Sequence, residues 1–285
     1  MSKYKTSLVL EGGGMRGAYT AGALSWLIDQ DIEFDCTYGI STGAVHMTNY
    51  LMKSKDFLYE LAVKKITDPR IVGIRPLLRC GRIVDYDYLF DVILTKEEHF
   101  DISPLKTCRD GKIGLYHLSQ GKTIYHKVND ISMKLLEAST SLPILGVIVK
   151  EDGEEYLDGG ITDMIPIQKA VEDGCTRHLV ITTKPGDYER KPAKDFIVWL
   201  MKKTYPQCDN ISKDYKIRHI NYKKQIELIK DLENKKEAVY VYPSEHSKVT
   251  RLGGSFEELD KLFWLGYNDM ENKKEEIFSL LKGND

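Results

Sequence analysis

The chain has 285 residues, 42% of them hydrophobic and 29% charged, with a formal net charge of −2 at pH 7. That length suits one large α/β domain or two small ones, and the apolar fraction supports a sizeable core rather than a disordered chain. The near-neutral balance offers no global attraction to nucleic acid, and neither RNP-type aromatic motifs nor Cys/His zinc spacings occur.

Five cysteines (Cys36, Cys80, Cys108, Cys175 and Cys208) are widely spaced, odd in number and never arranged as Cys-x-x-Cys. They read as reduced thiols of a cytoplasmic protein rather than a disulfide framework. The N-terminus, MSKYKTSLVLEGGG, has too short an apolar run after its basic start for a signal peptide. No apolar stretch approaches the ~20 residues needed to cross a bilayer, which leaves only peripheral contact with a membrane surface open.

In chain order, residues 7–11 (SLVLE) are a short apolar run stopped by three glycines, as a buried parallel strand would be. From about Gly17 the spacing of Ala18, Ala21, Leu24, Leu27 and Ile28 predicts a helix. Residues 34–40 predict a second strand, and Thr42 onward a second helix. This alternation implies a parallel sheet covered by helices. Residues 55–100 mix short helical patterns with a loop. Two hairpins follow, one turning near Gln120-Gly121 and one at Asp152-Gly153. Between them ISMKLLEAST reads as a helix ended before Pro143. IQKAVED reads as a helix closed by Gly174, and RHLVITTKP as a returning strand. The last hundred residues are mostly helical, interrupted by one strand, AVYVYP.

Three motifs carry chemistry. Gly39-Ile40-Ser41-Thr42-Gly43 is a Gly-x-Ser-x-Gly between a strand and a helix, the setting that exposes a nucleophilic serine at the sheet's C-terminal edge. Gly39 and Gly43 allow the sharp bend and close strand–helix packing. Gly12-Gly13-Gly14-Met15-Arg16-Gly17 has three readings. It matches Gly-x-Gly-x-x-Gly, but the following strand ends without the carboxylate a dinucleotide site wants. It also suits an oxyanion hole, with free backbone N–H groups, a helix N-terminus behind them and Arg16 adding charge or pinning the loop. It can equally be a tight turn. The third motif, Asp158-Gly159-Gly160, ends a strand and offers either a general base, with a pKa raised by burial, or a turn cap.

None of the histidines (His46, His99, His117, His126, His178, His219 and His246) presents itself as the base. Helical spacing directs His46 away from the elbow. His117 and His126 face each other across a hairpin as surface or cross-strand residues, and the other four carry no motif.

The order GGGMRG, GISTG, DGG resembles the patatin-like phospholipase family, and bacterial members of about this length in particular. The likeness covers residues 8 to about 184 and includes ASTSLP before the second hairpin. One local departure is the run Thr162-Asp163-Met164-Ile165-Pro166, where the family often has Asn-x-Pro or Asn-Pro. The resemblance implies a serine–aspartate dyad of Ser41 and Asp158, with Gly12, Gly13, Gly14 and Arg16 as the oxyanion hole.

The expected protein is therefore a three-layer α/β/α hydrolase of lipid carboxylic esters, with a mainly parallel sheet. Residues 1–190 form the catalytic part, and residues 191–285 a mainly helical part packed on it. No metal or cofactor is required. The rival readings are a dinucleotide-binding protein and a non-catalytic protein retaining the fold. Two stretches are candidates for membrane contact: the arginine-bearing loop with Arg70, Arg75, Arg79 and Arg82, and the apolar run FIVWLM at residues 196–201, which is otherwise core.

Overall fold

The structure is a computed structural model that describes residues 4–282; the basic start of the chain, residues 1–3, lies outside them. Among the described residues one mixed sheet contains β1 (Thr6–Leu10), β2 (Cys36–Ile40), β3 (Asp110–His117), β4 (Lys122–Lys127), β5 (Val149–Glu151), β6 (Glu154–Asp158), β7 (Arg177–Ile181) and β8 (Ala238–Val241). Its order is β5-β6-β3-β2-β1-β7-β8, with β4 also paired to β3. The run from β3 through β2, β1 and β7 to β8 is parallel, and β4, β5 and β6 are added antiparallel.

Period-two alternation on these strands creates the layers. Leu8 and Leu10 of β1, Leu179 and Ile181 of β7, and Val239 and Val241 of β8 point into one core. Val9, Val180, Ala238 and Tyr240 point into the other. Helices cover both faces, so the strands read as continuous apolar runs.

The first layer holds α1 (Gly17–Asp29), α2 (Thr42–Leu51), α3 (Lys55–Tyr59) and α5 (Met133–Thr140), and the small α4 (Ile74–Cys80) projects from the chain between α3 and α5. On the opposite face lies α6 (Ile167–Glu172). The helices that follow β7 are α7 (Asp195–Thr204), α8 (Ile211–Lys216), α9 (Arg218–Asn234), α10 (Phe256–Asn272) and α11 (Lys274–Lys282). Of these, α9 packs beside α6, while α10 and α11 return to the first layer.

Contact between α1 and α10 is backbone to backbone. A Cβ on Gly22 would collide with the Phe263 carbonyl, and one on Gly266 with that of Tyr19. Tyr19 also donates its hydroxyl to Asp269 at 2.9 Å. With β8 paired to β7 at the sheet's edge and α10 against α1, the helical C-terminal part completes the same core as the first strands.

The register of β3 positions the site. Residues 112–117 pair with β4 along one edge. The other edge is shared: β2 runs parallel along residues 110–114, and β6 runs antiparallel along 115–117. β2 and β6 therefore run toward each other, and their C-terminal ends meet.

Candidate active site

Ser41 follows β2 and precedes α2 with φ 57° and ψ −132°. A non-glycine residue in that left-handed region is strained, and the surrounding packing has to hold it there. Its neighbours supply the hold. A Cβ on Gly39 would stand 2.6 Å from the Ala44 Cα, and one on Gly43 2.7 Å from the Glu11 carbonyl oxygen. α2 can lie against the strand ends only because both positions lack side chains. The serine sits at the positive end of α2 and is 6% exposed.

Asp158 is the last residue of β6. Its carboxylate accepts the Gly160 N–H at 2.7 Å and borders the same small space as Ser41. Arg218 fixes the turn by donating its Nε to the Gly160 carbonyl at 2.8 Å. Gly159 lies so close to the Gly114 carbonyl that a Cβ would stand 2.5 Å from it. Burial raises the Asp158 pKa above the ordinary carboxylate value, against the opposing pull of the Ser41 hydroxyl, the Gly160 N–H, Arg218 and Arg251.

The glycine loop lies over the elbow. A Cβ on Gly12 would stand 2.7 Å from the Ser41 Cβ. The Gly12 N–H donates to Met164 at 3.3 Å, and the Gly13 N–H to the Thr42 hydroxyl at 3.2 Å, both long bonds. The Gly14 N–H has no acceptor among the described residues. Gly14 itself has φ +60°, and a Cβ there would collide with the Arg251 carbonyl. That same carbonyl accepts the Met15 N–H at 3.0 Å. Arg251 thus covers the loop at Gly14.

Beneath the loop, Glu11 takes the Thr183 N–H at 2.7 Å and is ion-paired with Lys184. Burial opposes the Glu11 charge, but Lys184 and Thr183 hold its pKa below the ordinary value. Arg16 lies apart from the serine. It lines a crevice with Thr183, Lys184 and His246 and borders neither space beside Ser41.

Two spaces flank the serine. One is an apolar cleft of about 760 Å³, its open mouth included, walled by residues such as Ala18, Val45, Leu61, Ile71 and Phe90. The other, of about 320 Å³, is polar and bordered by Asp158, Arg190, Arg218 and Arg251. Ser41, Gly14, Leu142 and Arg251 border both.

Among the described residues, no histidine hydrogen-bonds Ser41 or Asp158. His46 nevertheless departs from expectation. It does not point away from the elbow but lies buried in the cleft wall, its Nδ1 without a partner. Burial lowers its pKa to about 4, so it is neutral at neutral pH. His117 and His126 do not face each other, since the register pairs them with Lys122 and Ile113; both instead stand edge-on to Tyr156. His117 is also buried rather than on the surface.

The apolar run on α7 is not core throughout. Met201 is buried, whereas Phe196 and Trp199 stack on each other in the open. In the arginine loop, Arg70 pairs with Asp68, Arg79 with Asp85 and Arg82 with Asp87. α4 projects Ile74 and Leu78 outward, 74% and 82% exposed. It rises from a Val72–Val84 bridge whose two side chains line the apolar cleft. All five cysteines are free thiols. Among the described residues, no cluster of three His, Cys, Asp or Glu could hold a metal, and no helix is long and apolar enough to cross a membrane.

Sequence reasoning missed Arg190, Arg218 and Arg251. No motif surrounds them, and they approach Ser41 only through folding of the C-terminal part.

A family model described as Patatin-like phospholipase matches residues 8–171, a stretch that includes the glycine loop, Ser41 and Asp158. Another, described as a domain of unknown function, matches residues 208–282. The chain is 26% identical over 204 residues to the uncharacterized protein YjjU of Escherichia coli (strain K12), covering 66% of this chain and 54% of that one. It thus spans about half the length of that relative. It is 25% identical over 240 residues to a protein named Probable lipid hydrolase 463L of Invertebrate iridescent virus 6, covering 77% of each chain. Among solved structures, VipD from Legionella pneumophila aligns with a TM-score of 0.46 and 12% identity over 98% of this chain and 67% of that one.

Proposed function

The chain belongs to the patatin-like phospholipase family, and from that premise we propose that it hydrolyses carboxylic esters of lipids through a dyad of Ser41 and Asp158. The observation that carries this reading is the meeting of β2 and β6, which brings Ser41 and the buried Asp158 carboxylate to the border of one small space.

In the first step Ser41 Oγ attacks the acyl carbonyl while its proton passes to Asp158. The negative charge that develops on the carbonyl oxygen faces the glycine-loop N–H groups, above all that of Gly14, and the positive end of α2. As the tetrahedral species collapses, Asp158 returns the proton to the leaving alcohol. Water then attacks the acyl-serine, gives its proton to Asp158 and frees the carboxylic acid. The acyl chain occupies the apolar cleft. Arg16, set apart from the serine, supports the loop from the Lys184 side rather than touching the oxyanion.

Lipid substrates are presented in aggregates, and α4 suits contact with them. Its exposed Ile74 and Leu78 sit beside the cleft, and Arg75 has no ion-pair partner among the described residues. Cation and apolar surface together favour an anionic lipid surface.

A panel of nitrophenyl esters, lysophospholipids, phospholipids and acylglycerols tests the activity. Turnover by the parent protein, absent from Ser41→Ala, is the expected result. An inert parent across the whole panel would leave only a non-catalytic protein with this fold.

A further inference from the structure

All three cations on the polar side of Ser41 come from beyond residue 171, where the match to the catalytic family ends. Arg190 lies in the loop after β7, Arg218 begins α9, and Arg251 lies in the loop before α10. They converge on one small space from separate parts of the chain, although the chain as a whole carries a formal charge of −2.

No carboxylate forms an ion pair with any of the three among the described residues. Arg218 uses its Nε on the Gly160 carbonyl at 2.8 Å, which leaves its terminal amino groups. Among the described residues, the Nε of Arg190 is buried without a partner. Aromatic faces hold two of the guanidiniums in position, Tyr222 lying 5.0 Å from Arg190 and Tyr215 4.7 Å from Arg218. Burial and the nearby charges of Arg190 and Arg251 lower the Arg218 pKa to about 10, against the opposing pull of Tyr215 and Asp158. The single Asp158 carboxylate borders the same space and offsets only part of this charge, and like charges gathered in a partly desolvated space favour a further anion among them. Guanidinium forks match the oxygens of a phosphate better than a single carboxylate could use them.

Ser41 and Gly14 border both spaces, so an ester at the serine reaches into each. We propose that Arg190, Arg218 and Arg251 form an anion-binding subsite on the alcohol side of the ester, selecting lipids whose leaving group carries a phosphate. The proposal rests on the Ser41 reading for where the ester lies. It gives the C-terminal part of the chain a role in substrate selection.

The test is binding, measured by calorimetry on the full chain carrying Ser41→Ala, so that no turnover is needed. Short-chain lysophosphatidic acid should bind at least about tenfold more tightly than the monoacylglycerol of the same chain. Adding Arg190→Gln or Arg251→Gln should bring the two affinities close together, and Arg190→Lys should restore part of the difference. Arg218 is left intact because it also pins the Gly160 turn. Inorganic phosphate should compete with the charged lipid and leave the neutral one untouched.

Equal affinities in the Ser41→Ala protein, or a preference that survives both glutamine variants, would overturn the subsite. The two readings fail separately. A parent protein that hydrolyses esters yet shows no charge preference loses only the subsite, and an inert parent whose Ser41→Ala form keeps the preference loses only the hydrolase.

Discussion

Ile40 and Asp158 end their strands one position apart along the same edge of β3, Ile40 opposite Gly114 and Asp158 opposite Leu115. Because β2 is parallel to β3 and β6 antiparallel, the two chains approach head to head. The next residue after Ile40 is Ser41, which borders the same small space as the Asp158 carboxylate. In the proposed dyad this carboxylate takes the serine proton without an imidazole relay.

Asp158→Asn should therefore lower ester turnover by on the order of 10²–10⁴, the usual contribution of a general base. His46→Gln should keep most of the activity, because His46 is a neutral part of the cleft wall without a bond to either dyad member. Turnover of the purified variants, with circular dichroism to verify folding, separates the two. Loss of activity in folded His46→Gln as deep as in Asp158→Asn would mean that a histidine is the base.

The pH dependence follows from the raised Asp158 pKa, caused first by burial. A carboxylate acting as the proposed base must be ionised, so kcat/KM should fall as pH drops through a value above the ordinary carboxylate pKa of about 3.9. For stability the sign is opposite. A carboxyl whose folded-state pKa is raised binds its proton more tightly in the native than in the unfolded protein. Its contribution is present at acid pH and is lost as pH rises through the raised value. Asp158→Asn should consequently have a higher Tm than the parent at neutral pH, with the difference shrinking under acid conditions. Thermal melts at several pH values check this.

Gly14 is held at φ +60° beneath the Arg251 carbonyl. Gly14→Ala places a Cβ both in a strained conformation and against that oxygen, which should destabilise the protein by roughly 1–3 kcal/mol. Displacing this N–H from the oxyanion should lower kcat by about 10²–10³. Denaturant unfolding and turnover measure the two effects independently, and unchanged kcat would remove the Gly14 N–H from the oxyanion hole.

Leu78 is the most exposed apolar side chain on α4, at 82%. Leu78→Glu should weaken sedimentation with anionic vesicles by about tenfold or more, on the scale of losing one buried leucine. Hydrolysis of a soluble nitrophenyl ester should stay close to the parent rate, because Leu78 borders neither space beside Ser41. Undiminished vesicle binding would assign lipid contact to another surface.

The strand–helix alternation of the first fifty residues was legible because each element carries a strong local signal. Apolar runs stop at glycines, and helical spacing resumes after them. GGGMRG, GISTG and DGG were legible for a related reason: tight turns and backbone contact restrict which residues can occupy them. Long-range packing left no such trace. Arg190, Arg218 and Arg251 meet only once α9 and α10 have folded back, and nothing in their neighbouring residues records it. Met201 and Trp199 show the same limit, for one apolar run gives both a buried and an open side chain. His46 was misplaced because spacing along α2 gives its rotation about that helix but not the cleft beside it.

The most direct test of the dyad is labelling with a fluorophosphonate, which reacts quickly only with an activated serine. Intact-mass measurement and peptide mapping should find one adduct, on Ser41, formed in the parent protein and strongly slowed in Asp158→Asn. An unmodified parent, an adduct on another residue, or undiminished labelling of Asp158→Asn would contradict the assignment of Ser41 as nucleophile and Asp158 as its base.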